Sequence, residues 1–162
     1  MGLPYPGGPY VDKYAKTGNP LAFKFTKPRI AGLDYSYSGF KTAFLYFIND
    51  RIKEDPTFIE KNLNDLCASI QHTIIEILFD KLKIAIKETG VRSVAIGGGV
   101  SANSGLRSGI IMLAEKMNFK AFVPEFKFTT DNAAMIAITG YHKYLQNQFA
   151  GHDITPLARM PF

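Results

Sequence analysis

Cysteine is almost missing from this chain of 162 residues, which carries one, Cys67. A single thiol excludes a disulfide framework, and its place in an apolar helical pattern marks it as a small buried hydrophobe rather than a reactive group. Membrane-length apolar runs are missing too. The most apolar stretch, residues 70–86, is broken by Gln71, His72, Glu76, Asp80, Lys81 and Lys83, so nothing in it spans a bilayer. The opening MGLPYPGGPY has no cationic start followed by an apolar run, so no secretory signal is visible and a cytoplasmic location is expected. Histidines number three. His72, His142 and His152 show no metal-ligand spacing with one another or with Cys67; His72 reads as a core or half-buried helix residue and the others as solvent-facing. There is no zincin His-Glu pair, no Gly-x-Ser-x-Gly elbow, no Walker lysine loop and no dinucleotide fingerprint.

What is present describes a globular chain. Hydrophobic residues make up 46% and charged residues 20%, enough to bury a core and too mixed for disorder. The length suits one domain or one lobe of a larger protein. The net charge of +5 is unevenly spread. Residues 1–53 hold eight Lys and Arg against three acids, whereas the remainder holds eleven of each sign. Tyr5, Tyr10, Tyr14, Phe23, Phe25, Tyr35 and Tyr37 are interleaved with those cations. Such a segment is compatible with RNA contact through phosphates and stacking, although composition alone favours an ordinary solvated lysine face.

Patterning along the chain predicts mostly helices. Pro9 suits the first turn of a short helix running to Lys16 and closed by Gly18, Asn19 and Pro20. Residues 21–29 alternate, Phe23 and Phe25 against Lys24 and Thr26, which predicts an edge strand ending at Pro28. A helix over 40–53 follows, with Phe40, Ala43, Phe44, Phe47 and Ile48 on one stripe. Pro56 restarts a helical pattern that becomes long and apolar over 63–87, its buried face formed by Leu66, Ile70, Thr73, Ile74, Ile77, Leu78, Leu82 and Ile86. Gly90 ends it. A buried strand over 91–96, a helix over 104–117, a strand over 119–123 and a last helix over 130–148 complete the series, before an irregular tail. This order implies an α/β sheet with parallel neighbours, but too few strands for a free-standing doubly wound domain.

Three segments could carry chemistry. The most informative is AIGGGVSANS, residues 95–104, in which a β-branched run enters Gly97, Gly98 and Gly99, with Ser101 and Asn103 as candidate N-caps behind them. A strand, a glycine turn and a helix start can turn backbone N–H groups and a helix dipole toward a phosphate; the plain alternative is a tight turn without a ligand. In the second, Thr130 is a candidate N-cap of the last helix and Asp131 lies in its first turn. A helix dipole accounts for an acid there; the functional alternative is a metal ligand or ribose contact. In the third, Gly8 could admit a ligand to the backbone and Asp12 could accept from ribose hydroxyls, against a rigid turn with an exposed acid.

Four collinear segments, PYPGGPYVDKYA (4–15), DYSYSGFKTA (34–43), GGGVSANSGLR (97–107) and TTDNAAMIA (129–137), resemble the C-terminal part of the tRNA N(6)-adenosine threonylcarbamoyltransferase family, formerly called glycoprotease. Ala68, Ser69, Ile70 and Gln71 fit its pattern as well. Tyr35 and Tyr37 stand where the family often has phenylalanine, and Phe40 where it often has leucine.

The resemblance implies an α/β fold of actin/Hsp70/sugar-kinase type, with ribonuclease-H-like lobes flanking a nucleotide. The chain is then expected to be one fragment, 1–162, of the second lobe: a basic loop and helix region at 1–53, a helix–strand core at 54–148 and a tail at 149–162. It further implies that Gly8, Asp12, Gly98, Gly99 and Asn103 contact the adenylate substrate, threonylcarbamoyl-AMP. Asp131 would be one ligand of a single divalent metal, iron or zinc, whose histidine ligands are not in this sequence. The implied partners are tRNA, a paralogous subunit and an ATPase. The fragment by itself is expected to be inactive and open to self-association through exposed apolar surface. A metalloprotease, a kinase of the same superfamily and a non-catalytic partner subunit are the alternatives. The first lacks a nucleophile or zincin motif here and the second lacks its phosphate hairpin. The third would be expected to lose Asn103 and Asp131.

Overall fold

The computed structural model describes residues 1–155, 157 and 158. It contains five α-helices and two short strands among those residues: α1 (Gly7–Ala15), α2 (Ser38–Glu54), α3 (Phe58–Thr89), β1 (Ser93–Ala95), α4 (Ser104–Met117), β2 (Lys120–Phe122) and α5 (Ala133–Leu145). Two 3-10 turns, Gly99–Ala102 and Phe126–Phe128, precede α4 and α5. The strands are parallel, with Val94 opposite Ala121. The architecture is therefore α/β with a small parallel sheet, as the patterning predicts.

The 32-residue α3 organises everything else. Leu66, Ile70, Thr73, Ile77 and Ile86 on the expected face are buried, as is Cys67, and burial raises the Cys67 thiol pKa. Gly90 ends the helix in the left-handed region at φ 67°, where a Cβ is disfavoured. Along its middle, on one side, Phe40 of α2 packs with Ile70 and Ile77. Toward its carboxyl end, Ile86 joins Ile110, Leu113 and Ala114 of α4 and Phe119, with Val94, Ile96, Ala121 and Val123 of the sheet against them. Two small cores thus share one helix.

The segment linking α1 to α2 is held onto α3 by specific polar contacts. The Asn19 N–H donates to Asp65 at 2.7 Å. Ser69 Oγ accepts from the Phe23 N–H at 3.1 Å and donates to Asn19 O at 3.3 Å. Lys27 pairs with Asp80 and Glu76, and Lys81 Nζ donates to the Ile30 and Gly32 carbonyls. The hydrogen bond to Asp80 raises the Lys27 pKa. Burial opposes ionisation of Asp80, but the hydrogen bond and charge of Lys27 outweigh it and lower that carboxyl.

Several expectations are corrected. Residues 21–29 form no strand. Their alternation is real, since Phe23 and Phe25 turn inward against Phe47, Phe58, Phe40 and Phe44, but no neighbouring strand among the described residues offers a ladder. The strand over 91–96 shrinks to three residues and is buried on one side only, with Val94 half-buried between exposed Ser93 and Ala95, because helices cover one face of a two-stranded sheet. The last helix starts at Ala133, not Thr130. Asn132 is its N-cap, accepting from the Met135 N–H at 3.1 Å, while Thr129 closes the preceding 3-10 turn onto Phe126 O. Asp131 therefore lies before the helix, outside its first turn. The tail over 149–162 falls partly outside the described residues, at 156 and 159–162.

Candidate adenylate cleft

The glycine turn forms as its sequence demands. Gly98 has φ 75° and ψ 177°, a conformation essentially closed to residues with a Cβ. Ser101, one of the two candidate caps, is buried and ties the turn to itself, its N–H and Oγ both donating to Gly98 O. Asn103 is the true N-cap of α4. Its Oδ1 accepts from the Leu106 N–H at 2.8 Å, the bond an N-cap side chain supplies. Arg107 clamps the region, donating to Ser101 O at 3.0 Å and Pro124 O at 2.8 Å.

Helix α1 closes over this turn. Asp12 Oδ1 accepts from the Ser104 N–H at 3.0 Å and from Ser104 Oγ at 2.7 Å. The amino end of α4 is thus faced by a carboxylate of the chain itself, so its dipole is not open to an external phosphate as the sequence suggested. The Gly98 and Gly99 N–H groups take no part in the turn's own hydrogen bonds.

Between α1 and the glycine turn lies a cleft of about 700 Å³. Gly8, Asp12, Gly99 and Asn103, drawn from segments far apart in sequence, all line it, as do Lys13 and Lys16. Gly98 shapes its wall without lining it. Gly99 follows β1 and Phe126, which also lines the cleft, follows β2. The cleft therefore opens at the carboxyl ends of parallel strands, where open α/β sheets take ligands. Asp12 and Lys13 of α1 and Lys16 at its carboxyl end border the cleft together, and neither lysine pairs with an acid among the described residues. Sequence reading counted both lysines only in the basic first third and did not place them at this cleft, although their spacing from Pro9 and Asp12 was visible.

Asp131 is not part of this cleft. It is exposed and contributes no lining. Among the described residues, no three His, Cys, Asp or Glu side chains are grouped so as to hold a metal.

The basic first third is partly neutralised. Lys27, Arg51 and Lys53 pair with acids, and Phe23 and Phe25 are packed inward. Tyr5 and Tyr35 remain exposed. No helix among the described residues is long and apolar enough to cross a membrane.

A cleft at strand carboxyl ends, walled by a glycine turn and edged by lysines, suits an anionic ligand. The comparisons with known proteins give the family. The family model for tRNA N6-adenosine threonylcarbamoyltransferase matches residues 1–138, and the chain belongs to that family. It is similar to the proteins of that name from Christiangramia forsetii (60% identity over all of this chain and 48% of the relative) and Cytophaga hutchinsonii (54% over 99% of this chain and 47% of the relative). The protein of that name from Porphyromonas gingivalis is 54% identical over the same shares. The chain spans about half the length of the curated relatives it matches.

Proposed function

We propose that this chain is the C-terminal part of a cytoplasmic transferase that moves the threonylcarbamoyl group from threonylcarbamoyl-AMP to the exocyclic amine of the tRNA adenosine beside the anticodon. The observation that carries this reading is the single cleft joining Gly8, Asp12, Gly99 and Asn103. In the proposed reaction the amine attacks the carbamoyl carbon and a C–N bond forms. The bond between that carbon and the phosphate oxygen breaks, the amine loses a proton, and AMP leaves with the electron pair.

Within that reaction this chain binds and orients. Gly99, which lines the cleft, offers an N–H donor to the AMP phosphate, where charge is retained on departure, and Gly98 shapes the turn that carries it toward the same phosphate side. Asp12 keeps one carboxylate oxygen beyond Ser104 for a ribose hydroxyl. Asn103 contacts the same nucleotide. Lys13 and Lys16 balance Asp12 at the mouth, so the cleft keeps a positive field toward an anion.

A lobe of ribonuclease-H-like type agrees with the parallel strands and with helices on one face. The opposite wall of the cleft, the partner subunit, the ATPase and the tRNA surface belong to the longer protein in this proposal. So does the iron or zinc centre, to which Asp131 would give one ligand. The bare apolar surface of α5 fits the same view. Met135, Ile136, Ile138, Tyr141, Tyr144 and Leu145 are all exposed, and the helix has no buried residue. In this proposal the chain by itself self-associates through that helix.

The test is incubation of the chain with tRNA, threonine, bicarbonate, ATP and the partner proteins, followed by mass spectrometry of the nucleosides. No threonylcarbamoyladenosine is expected from this chain alone, and product is expected when the remaining half is supplied. Robust product from the chain alone overturns the division of the site.

A further inference from the structure

We infer that Gln71 on α3 is a positioning residue that sets the orientation of the Asn103 carboxamide in the cleft. The orientation of Asn103 is fixed at one end by the backbone. Only its oxygen can accept from the Leu106 N–H, at 2.8 Å, so the amide nitrogen must point the other way. There it donates to Gln71 Oε1 at 2.6 Å. Gly105, in the first turn of α4, leaves the room that Gln71 occupies: a Cβ there would sit 2.8 Å from Gln71 Nε2, so a larger residue would require that amide to shift.

Gln71 does not line the adenylate cleft. It lines a separate groove of about 460 Å³ between α3 and α4, so it acts on a ligand only through Asn103. Two of the Asn103 groups are spoken for by protein partners. One amide hydrogen and one oxygen lone pair remain for the cleft. Without Gln71 the carboxamide keeps its cap bond but loses the contact that fixes its plane, and those remaining groups no longer hold one direction. As far as it concerns a ligand, this inference rests on the adenylate reading above.

The experiment compares Gln71→Met, which has similar length but cannot accept a conventional hydrogen bond, with Gln71→Glu, which still accepts from Asn103. The side-chain amide resonances of Asn103, assigned by NMR in the full 162-residue chain, need no ligand. They are expected to move in Gln71→Met and to keep their hydrogen-bonded signature in Gln71→Glu. Gln71→Ala serves the same purpose if methionine disturbs the fold.

Binding of AMP by calorimetry then tests the consequence. About a tenfold loss is expected for Gln71→Met and less than about threefold for Gln71→Glu, in keeping with one hydrogen bond. In an Asn103→Ala background, Gln71→Met is expected to change nothing further, whereas a merely structural role predicts additive losses. Asn103 resonances unmoved in Gln71→Met, or additive losses, overturn the inference. If the native chain does not bind AMP, the adenylate reading fails, while the resonances still decide the role of Gln71.

Discussion

Asp12 and Ser104 meet across 92 residues of sequence, one carboxylate oxygen accepting from both the backbone N–H and the hydroxyl of the serine. The contact caps α4 from outside its own chain segment and fixes α1 against the glycine turn. Asp12→Ala removes a charge-assisted cap and is expected to cost about 1–2 kcal/mol. Asp12→Asn, whose amide oxygen can still accept, is expected to lose less than half of that. Urea denaturation of the three proteins checks the order, and equal losses for the two variants would count against the hydrogen-bond account.

Gly18 marks the tightest approach in the fold. A Cβ there would lie 2.0 Å from the Asn64 carbonyl oxygen and 2.8 Å from the Asp65 nitrogen. Both are backbone atoms of α3, so no side chain can swing aside. Gly18→Ala is expected to destabilise by about 3 kcal/mol, the upper end for overpacking, and to loosen α1 first. Hydrogen exchange of the α1 amides, compared with those of α4, reads this directly.

The start of α3 predicts a pH response. Hydrogen bonds from Lys61 and from Thr57 to Asp55 hold its carboxyl down at about 2. An unfolded aspartate titrates near ~3.9. The folded value is the lower one, so the stabilising contribution is complete above about pH 4 and is lost as pH falls toward 2. The melting temperature of Asp55→Asn is therefore expected to fall less steeply than that of the native chain between pH 4 and 2. Parallel curves over that window would contradict the assignment.

Lys13 and Lys16 face the cleft without acidic partners among the described residues. Replacing both with alanine is expected to weaken AMP binding about tenfold and to flatten its salt dependence, since the cleft would lose two positive charges. Replacing Lys24, exposed and outside the cleft, is expected to leave both unchanged. Calorimetric titrations at low and high salt separate these outcomes.

The exposed apolar residues of α5 predict self-association of the chain in isolation. Ile136, at 76% exposure, is its most open large hydrophobe. Ile136→Lys combined with Tyr144→Lys is expected to lower the average mass in light scattering toward a monomer. A monomeric native chain at high concentration would remove the idea.

Where local chemistry decides structure, the reading from sequence is close. The helix over 104–117 has the observed bounds, because Asn103 offers a cap at one end and Asn118 takes the left-handed position at the other. The long apolar helix, its Gly90 stop and the parallel order of the strands follow from periodicity and punctuation in the same way. The strand over 21–29 does not form, because alternation reports which side chains turn inward and says nothing about whether a partner strand is available. The last helix begins three residues late because Asn132 caps it and Thr129 is used by the turn before it.

The candidate site divides along the same line. Gly8, Asp12, Gly99 and Asn103 were visible as short motifs, each with a local reason to be what it is. Lys13, Lys16, Ser104 and Gln71 gained their places only when α1 and α4 docked on α3. Asp131 was placed by motif alone, and among the described residues no three His, Cys, Asp or Glu side chains gather to hold a metal.

The glycine turn, its positive φ at Gly98 and the cap at Asn103 were therefore fixed by sequence, since each depends on steric limits and hydrogen bonds within a few residues. What faces the amino end of α4 was decided by tertiary structure. A carboxylate 92 positions away satisfies that helix end, and only the packing of α1 against α3 brings it within reach.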